Sequence, residues 1–244
     1  MRLLVTRSIE DAEPLAAALG RRGYEAVLEP LMSITDVDAP GLDTDLDSGG
    51  VQALLITSAN GIRAFARGTS RRNIAVFAVG DASARTAADL GFAEVSSAGG
   101  DVDALAALVR DELDPGRGAL LHIAGSHIAG DLSGLLEAAG FDVRRQVLYR
   151  ATAAEKLSPA TVDELTSGTL DGVLLFSPRT AGLFVKLAAA AGVEEACRSL
   201  VAYCLSQAVA DNAKALPFLR VIVASEPNQR SLLEIGRASC RERG

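Results

Sequence analysis

The sequence predicts an α/β fold of two similar lobes, each with a parallel sheet flanked by helices. Short runs of β-branched and large apolar residues alternate with Ala- and Leu-rich segments of helical spacing, which is typical of buried parallel strands. The two halves of the chain also match each other in order. Small or hydroxylic residues follow nearly every run, as expected where helices begin at the carboxyl edge of a parallel sheet.

The composition excludes several classes of protein. The 244 residues are 49% hydrophobic and 4% aromatic, with no tryptophan, three cysteines and a formal net charge of −7. This apolar content is enough for a buried core, whereas nucleic-acid binding would call for basic stripes and stacking rings. No apolar run approaches the roughly 20 residues of a membrane span, and residues 1–7 lack a signal-peptide pattern. Three cysteines form no disulfide framework. We therefore expect a cytoplasmic protein with no nucleic-acid or membrane partner.

The last ten residues, 235–244, break the preceding pattern. They hold three Arg and one Glu, and they resemble the in-frame translation of a sequencing-library adapter. We expect a non-native tail and exclude it from the fold, and a natural polar tail is the alternative. Without it the net charge becomes −9, only Cys197 and Cys204 remain, and the final helix ends after Leu233 or Glu234.

Nine strands are predicted along the chain. Apolar runs occupy residues 3–5, 53–56, 75–79, 120–124, 173–176, 200–205 and 221–224, with weaker candidates at 94–96 and 146–149. The segments between them have helical spacing. After Asp101, a plausible N-cap, apolar residues recur at Val102, Leu105, Leu108 and Val109.

The residues that follow the runs indicate a ligand site. Nearly all of these residues are small, hydroxylic or helix-capping. They lie in segments 6–8, 57–60, 80–83, 125–126, 177–178, 206–207 and 225–226. Each alone could be an ordinary N-cap. Because the carboxyl ends of parallel strands share one edge, the whole set favours a polar crevice.

An internal duplication explains the length. Residues 6–26 align without gaps onto 123–143, residues 57–58 onto 176–177, and residues 72–91 onto 198–217. Asp101 matches Asn228, and each is followed by Leu four residues later. We infer two copies of one set of βα units, and hence two lobes with a crevice between them.

The two long connections lie at equal positions of the repeat. Segment 30–50 is acidic, and segment 150–168 is its counterpart. This equivalence suggests that the chain crosses between lobes at both places. The alternative is two consecutive domains divided near residues 114–116, and the sequence leaves both open.

The ordered motifs resemble those of the uroporphyrinogen-III synthase family over about residues 1–234. The resemblance rests on five segments, which are LLVTR at 3–7, ITSAN at 56–60, FAVG at 77–80, VLY at 147–149 and LFSP at 175–178. Single residues that also match are Leu19, Gly23, Pro30, Ser83, Gly91, Gly125, Leu136 and Gly140. The resemblance implies two lobes joined by two crossing segments, with the substrate crevice between the lobes. One lobe would be residues 1–33 plus 152–234, and the other residues 36–148.

The same resemblance implies a cofactor-free lyase of tetrapyrrole biosynthesis that acts as a monomer. Its substrate would be hydroxymethylbilane, handed over by hydroxymethylbilane synthase. The linear substrate loses its terminal hydroxyl as water and closes with ring D inverted, whereas closure without enzyme gives the type I isomer. The substrate carries eight carboxylates but this chain is acidic, so we expect helix N-termini and hydroxyls to bind them.

Family positions carry over onto particular residues. Tyr149 stands at the position of a tyrosine thought to assist departure of the hydroxide, and a phenol can supply that proton; a lobe-edge tyrosine with no chemical role is the alternative. The expected substrate-binding residues lie at the ends of the strands. They are Arg7, Thr57, Ser58, Asn60, Gly80, Ser83, Gly125, Ser177 and Ser206. Ser83 replaces the usual threonine, and the segment after residue 205 lacks the family's threonine.

Other chemistries lack their motifs. His122 and His127 do not share a helical face, and His122 lies within an apolar strand, so no metal site is expected. Cys197 and Cys204 read as core residues, and no GxGxxG turn follows the first strand. A nucleotide-dependent enzyme is therefore disfavoured. A non-enzymatic two-lobed small-molecule binding protein remains the main alternative.

Overall fold

The computed structural model describes residues 1–47, 50–126 and 130–234, and these divide into two units. One unit combines Met1–Ser33 with the chain from Thr152 onward, and the other is Ile34–Ala151. The chain thus passes between the units twice, once near residue 33 and once near residue 151. The proposed non-native tail at 235–244 and His127 lie outside the described residues.

The helices and strands alternate along the chain. In order they are β1 (Arg2–Val5), α1 (Ile9–Gly20), β2 (Glu25–Leu28), β3 (Met32–Asp36), α2 (Leu42–Asp47), β4 (Val51–Ile56), α3 (Ala59–Gly68), β5 (Ala75–Ala78), α4 (Asp81–Asp89), β6 (Val95–Ser97), α5 (Val102–Glu112), β7 (Ala119–Gly125), α6 (Leu132–Glu137), β8 (Val143–Ala153), α7 (Pro159–Thr166), β9 (Gly172–Leu175), α8 (Pro178–Ala190), β10 (Val201–Cys204), α9 (Gln207–Ala213) and β11 (Arg220–Val223). Short 3₁₀ turns lie at Pro115–Arg117 and Glu195–Ser199, and residues 229–234 are helical.

Each unit is built on one sheet. The first unit has the strand order β11-β10-β9-β1-β2, and all of its pairings are parallel. The second has the order β3-β8-β7-β4-β5-β6, which is parallel from β8 to β6. The fold class, parallel sheets flanked by helices, is therefore confirmed.

The edge strand β3 is an exception to the parallel arrangement. The N–H of Val37 donates to the carbonyl of Leu148 at 2.8 Å, and the N–H of Ala154 donates to that of Leu31 at 2.9 Å. Residue numbers increase along one strand as they decrease along the other, from the pair 31 and 154 to the pair 37 and 148, so β3 and β8 are antiparallel. Strands β2 and β3, which are edge strands of the two sheets and are partly exposed, were not predicted. The segment 150–168, expected to be a connection, instead holds the end of β8 and all of α7.

The two sheets repeat the same order of matched strands. By the internal alignment, β1, β2, β4, β5 and β6 of the first copy correspond to β7, β8, β9, β10 and β11 of the second. The order β2-β1-β9-β10-β11 in one unit therefore matches β8-β7-β4-β5-β6 in the other. Each unit takes two strands from one copy and three from the other. The duplication seen in sequence is thus a repeat of topology, with its halves exchanged between the units.

Alternate residues of each strand enter different hydrophobic clusters. Leu4 packs with Val173 and Phe184 on one face of the first sheet, whereas Leu3 packs with Leu174 and Tyr203 on the other. In the second sheet, Leu54 and Ile56 face one cluster while Ala53 and Leu55 face another. Because helices cover both faces, central strands are apolar at every position, which produces the continuous runs seen in the sequence.

The buried carboxylate of Glu29 links the two chain segments that form the first unit, Met1–Ser33 and the segment that begins at Thr152. Glu29 follows β2 and is 5% exposed. It accepts hydrogen bonds from the Ser158 N–H at 2.9 Å, the Ser158 hydroxyl at 2.6 Å and the Thr161 hydroxyl at 2.5 Å. Ser158 is the N-cap of α7, so a negative charge also lies at the positive end of that helix.

We expect Glu29→Ala to lower the free energy of unfolding by about 1–3 kcal/mol, since it leaves the buried Thr161 hydroxyl and the two half-buried donors of Ser158 without this acceptor. Urea unfolding followed by far-UV circular dichroism measures this change. Glu25→Ala is the matched control, because Glu25 is the first residue of β2, the strand that Glu29 follows, and its side chain is exposed. Equal stability of the two variants would contradict a fastening role for Glu29.

Candidate functional site

In the Ile34–Ala151 unit, four neighbouring strands bring the predicted site residues to one edge. Tyr149 lies on β8 opposite Gly125, the last residue of β7. Thr57 and Ser58 follow β4, which is the next strand, and Gly80 follows β5. Because these strands are parallel, the five residues share the carboxyl edge of the sheet.

The start of α3 provides hydrogen-bonding groups at this edge. Ser58 is the N-cap, and its hydroxyl accepts from the Asn60 N–H at 3.2 Å. The Asn60 side-chain oxygen accepts from Nη1 of Arg63 at 3.2 Å. Thr57, Ser58 and Asn60 are all half-buried. The first turn of α3 thus combines backbone donors, a hydroxyl and a cation, a combination suited to an anion.

The start of α4 lies beside that of α3 but offers less. Gly80 is its N-cap and has no side chain to cap the helix. Ser83 lies in the first turn, and its side chain is buried at 6% exposure. The backbone N–H groups, rather than the Ser83 hydroxyl, are therefore the accessible donors of α4.

Tyr149 packs into the core cluster of its sheet face and is 8% exposed. Its neighbours in that cluster include Ile56, Phe65 and Ile123. Most of the ring is thus fixed by packing rather than lying loosely at the surface. Such fixation suits a group that must present one atom in one place.

In the other unit, three neighbouring strands bring together the remaining predicted residues. Arg7 follows β1, Ser177 follows β9 and Ser206 follows β10. Ser177 is the N-cap of α8 and accepts from the Thr180 N–H at 3.1 Å. Ser206 is the N-cap of α9, but its side chain makes no capping hydrogen bond. The Ser177 hydroxyl is therefore engaged in capping its helix, whereas the Ser206 hydroxyl is not.

The Arg7 guanidinium is held by its own unit. Its Nη2 pairs with Asp11 at 2.8 Å, its Nη1 lies 3.4 Å from the Gln229 side-chain oxygen, and its Cζ lies 4.6 Å from the Phe176 ring centroid. The side chain is 23% exposed. These contacts fix Arg7 at the edge and neutralise part of its charge.

Sequence reasoning missed Arg145. Its Nη2 donates to the Gly125 carbonyl at 3.0 Å, which brings a cation to the end of β7. Arg145 pairs with His122 in the register of β8 on β7. The sequence shows that Arg145 lies four residues before Tyr149. It does not show the register of β8 on β7, which brings Arg145 to Gly125.

His122 is buried with neither ring nitrogen hydrogen-bonded to any part of the chain that the structure describes. Burial, and secondly the charge of Arg145, lowers the pKa of His122 to about 4. Within residues 1–47, 50–126 and 130–234 no three His, Cys, Asp or Glu side chains cluster as metal ligands. Cys197 and Cys204 are buried, which raises the pKa of both thiols to about 11 and keeps them protonated.

A broad surface depression lies between α5 and α6. Asp103, Arg110, Asp131 and Leu135 line it. None of the predicted site residues lies there, and its mixture of both charges and apolar groups defines no particular ligand. Among the described helices, none is both long and apolar enough to cross a membrane.

His122 should make stability depend on pH between about 6.5 and 4. The unfolded chain binds a proton below about 6.5, whereas the folded protein keeps His122 neutral until about 4. The free energy of unfolding therefore falls as the pH is lowered through this window, by up to about 3 kcal/mol. The His122→Leu variant should lose less stability over that range in urea titrations. Parallel stability curves for the two proteins would contradict this account.

Comparison with known proteins gives the family of the chain. None of the curated protein sequences matches it. A solved mutant uroporphyrinogen III synthase from Thermus thermophilus is similar, with 17% identity, a TM-score of 0.58 and 99% of each chain covered. The uroporphyrinogen-III synthetase of Helicobacter pylori is 16% identical with a TM-score of 0.63, and 98% of this chain and 99% of that chain are covered. At these identities the likeness concerns the fold. A family model described as uroporphyrinogen-III synthase HemD matches residues 13–234. The chain therefore belongs to the uroporphyrinogen-III synthase family.

Proposed function

We propose that this protein converts hydroxymethylbilane into uroporphyrinogen III in tetrapyrrole biosynthesis, as a cofactor-free lyase. The observation that carries the proposal is the family match over residues 13–234, a span that holds all but one of the candidate site residues. The exception, Arg7, lies six residues before it. The candidate residues lie at the carboxyl edges of the two sheets, where parallel α/β folds bind ligands.

The reaction requires loss of water and control of the carbon that is attacked. The terminal hydroxyl leaves with the bonding electron pair and takes up a proton, and a new carbon–carbon bond then closes the ring. A flexible linear tetrapyrrole must first be held in one curled conformation. Well-oriented intramolecular closures gain up to about 7–11 kcal/mol from such positioning, so binding geometry supplies a large part of the catalysis.

The substrate carboxylates would meet helix N-termini and hydroxyls at the carboxyl edges of the two sheets. The starts of α3 and α4 serve one unit and the start of α8 serves the other, each favouring an anion by about 0.3–1 kcal/mol. Hydroxyls of Thr57, Ser58 and Ser206 add donors, and Ser177 donates to the Thr180 hydroxyl at 2.8 Å in the first turn of α8. Arg145 and Arg63 supply positive charge in an otherwise acidic chain. Arg7 supplies less, because Asp11 neutralises part of its charge.

Tyr149 would protonate the departing hydroxyl. Its phenol is a proton donor near the end of β7. Positioned general acids contribute about 10²–10⁴-fold to a rate, which is enough to favour the enzymatic closure over the spontaneous one.

We further propose that the protein acts as a monomer in the cytoplasm and receives its labile substrate from hydroxymethylbilane synthase. Each unit has its own sheet, and the residues assigned to the site all lie on one chain. No second copy is needed to complete the set.

The synthase proposal predicts the isomer of the product. Freshly prepared hydroxymethylbilane, incubated with the protein and then oxidised, should give mainly the type III porphyrin when the isomers are separated chromatographically. The control is the same incubation without protein, which gives type I. Type I alone at the uncatalysed rate would overturn the proposal, and binding without conversion would favour the non-enzymatic alternative.

A further inference from the structure

Two glycines of the second unit make room for the Tyr149 ring. A methyl group built on Gly125 would lie 2.8 Å from Cζ, 2.9 Å from Cε2 and 3.1 Å from the hydroxyl oxygen of Tyr149. One built on Gly61 would lie 3.7 Å from Cε1 of the same ring and 3.2 Å from the carbonyl oxygen of Ile123. Close-packed interiors do not accommodate contacts as short as those at Gly125, so at that position only glycine leaves the ring where it is.

Backbone conformation does not explain these glycines. Glycines with positive φ occur at several turns of the chain, but neither Gly61 nor Gly125 is among them. Both positions have a backbone that other residues adopt readily. What they provide is space, and in both cases the space is next to the ring of Tyr149.

A β-bulge aims Tyr149 at this space. Ala124 pairs with Val147 and Gly125 pairs with Tyr149, so Leu148 is an extra residue with no counterpart on β7. Consecutive residues of a regular strand point to opposite faces. Leu148 and Tyr149 nevertheless lie in the same buried cluster, at 3% and 8% exposure. The bulge therefore turns Tyr149 onto the face that α3 covers.

The resulting position of the hydroxyl is well defined. One edge of the ring lies against Gly61 in the first turn of α3, and the hydroxyl lies against Gly125 at the end of β7. The phenol oxygen is thus brought to the carboxyl edge of the sheet, where the Gly125 carbonyl also receives Arg145 at 3.0 Å.

We propose that Gly125 and Gly61 are positioning residues of the ring closure, which hold the Tyr149 hydroxyl where it protonates the departing oxygen. This inference rests on the proposed synthase activity. As the carbon–oxygen bond breaks, both electrons go to the oxygen, and the phenol proton completes a water molecule. The proton released when the new carbon–carbon bond forms then restores the phenol.

The test compares Gly125→Ala with the parent protein in the isomer assay. The variant should form type III product about tenfold more slowly or worse, with KM changed less than about twofold, because positioning affects the proton transfer rather than binding. The fraction of type I product should rise accordingly. In a Tyr149→Phe background, the same substitution should have little further effect on rate, since the hydroxyl it positions is already absent.

Two further variants separate positioning from stability. Gly61→Ala, with its milder contacts, should give a smaller loss of the same kind and serves if Gly125→Ala folds poorly. Gly172→Ala is the steric control in the other unit, where the added methyl would lie 2.8 Å from the Tyr203 ring and 2.7 Å from the Val201 carbonyl. It should lower stability without changing the ratio of isomers per folded molecule.

Fluorotyrosine labelling gives a readout independent of activity. The chain has three tyrosines and no tryptophan, so three ¹⁹F resonances are expected, and Tyr149→Phe assigns one of them. Gly125→Ala should shift that resonance alone, whereas Gly172→Ala should shift the Tyr203 resonance. Unchanged kinetics in Gly125→Ala with a shifted Tyr149 resonance would overturn the inference. A parent protein that forms only type I would instead overturn the synthase proposal.

Discussion

Each unit depends on one parallel strand pairing at the middle of its sheet. In the first unit β1 lies beside β9, with Leu4 opposite Val173, and in the second β4 lies beside β7, with Leu54 opposite Leu121. The paired strands come from different copies of the repeat. Because one partner arrives only after the other unit has been traversed, the first pairing closes a discontinuous unit, and the buried Glu29 adds a second link there.

The same pairing assembles the candidate site. Parallel neighbours end at the same edge, so residues from both copies meet there. Thr57 and Ser58 of the first copy lie near Gly125 and Tyr149 of the second. Arg7 of the first copy follows β1, which lies beside β9, the strand that precedes Ser177. Helix N-termini and hydroxyls then supply donors in an acidic protein. A polyanionic substrate can be bound in this way without a basic surface.

Much of this was readable from the sequence, because central strands buried on both faces are apolar at every position. The runs at β4, β5 and β7 are examples, and the matched N-caps Ser58 and Ser177 reflect the repeat. The edge strands β2 and β3 escaped prediction since one side of each meets solvent. Arg145, the bulge at Leu148 and the space above Gly125 depend on strand register, which no local pattern encodes.

The proposed function requires the substrate carboxylates to bind at the carboxyl edges of the two sheets. The most direct test of this requirement is amide chemical-shift mapping on titration with uroporphyrinogen III under anaerobic conditions. We expect the largest changes at the first turns of α3 and α4 in one unit and of α8 in the other, with smaller changes beside Gly125. Changes centred on the opposite edges of the sheets, or on the depression between α5 and α6, would contradict it.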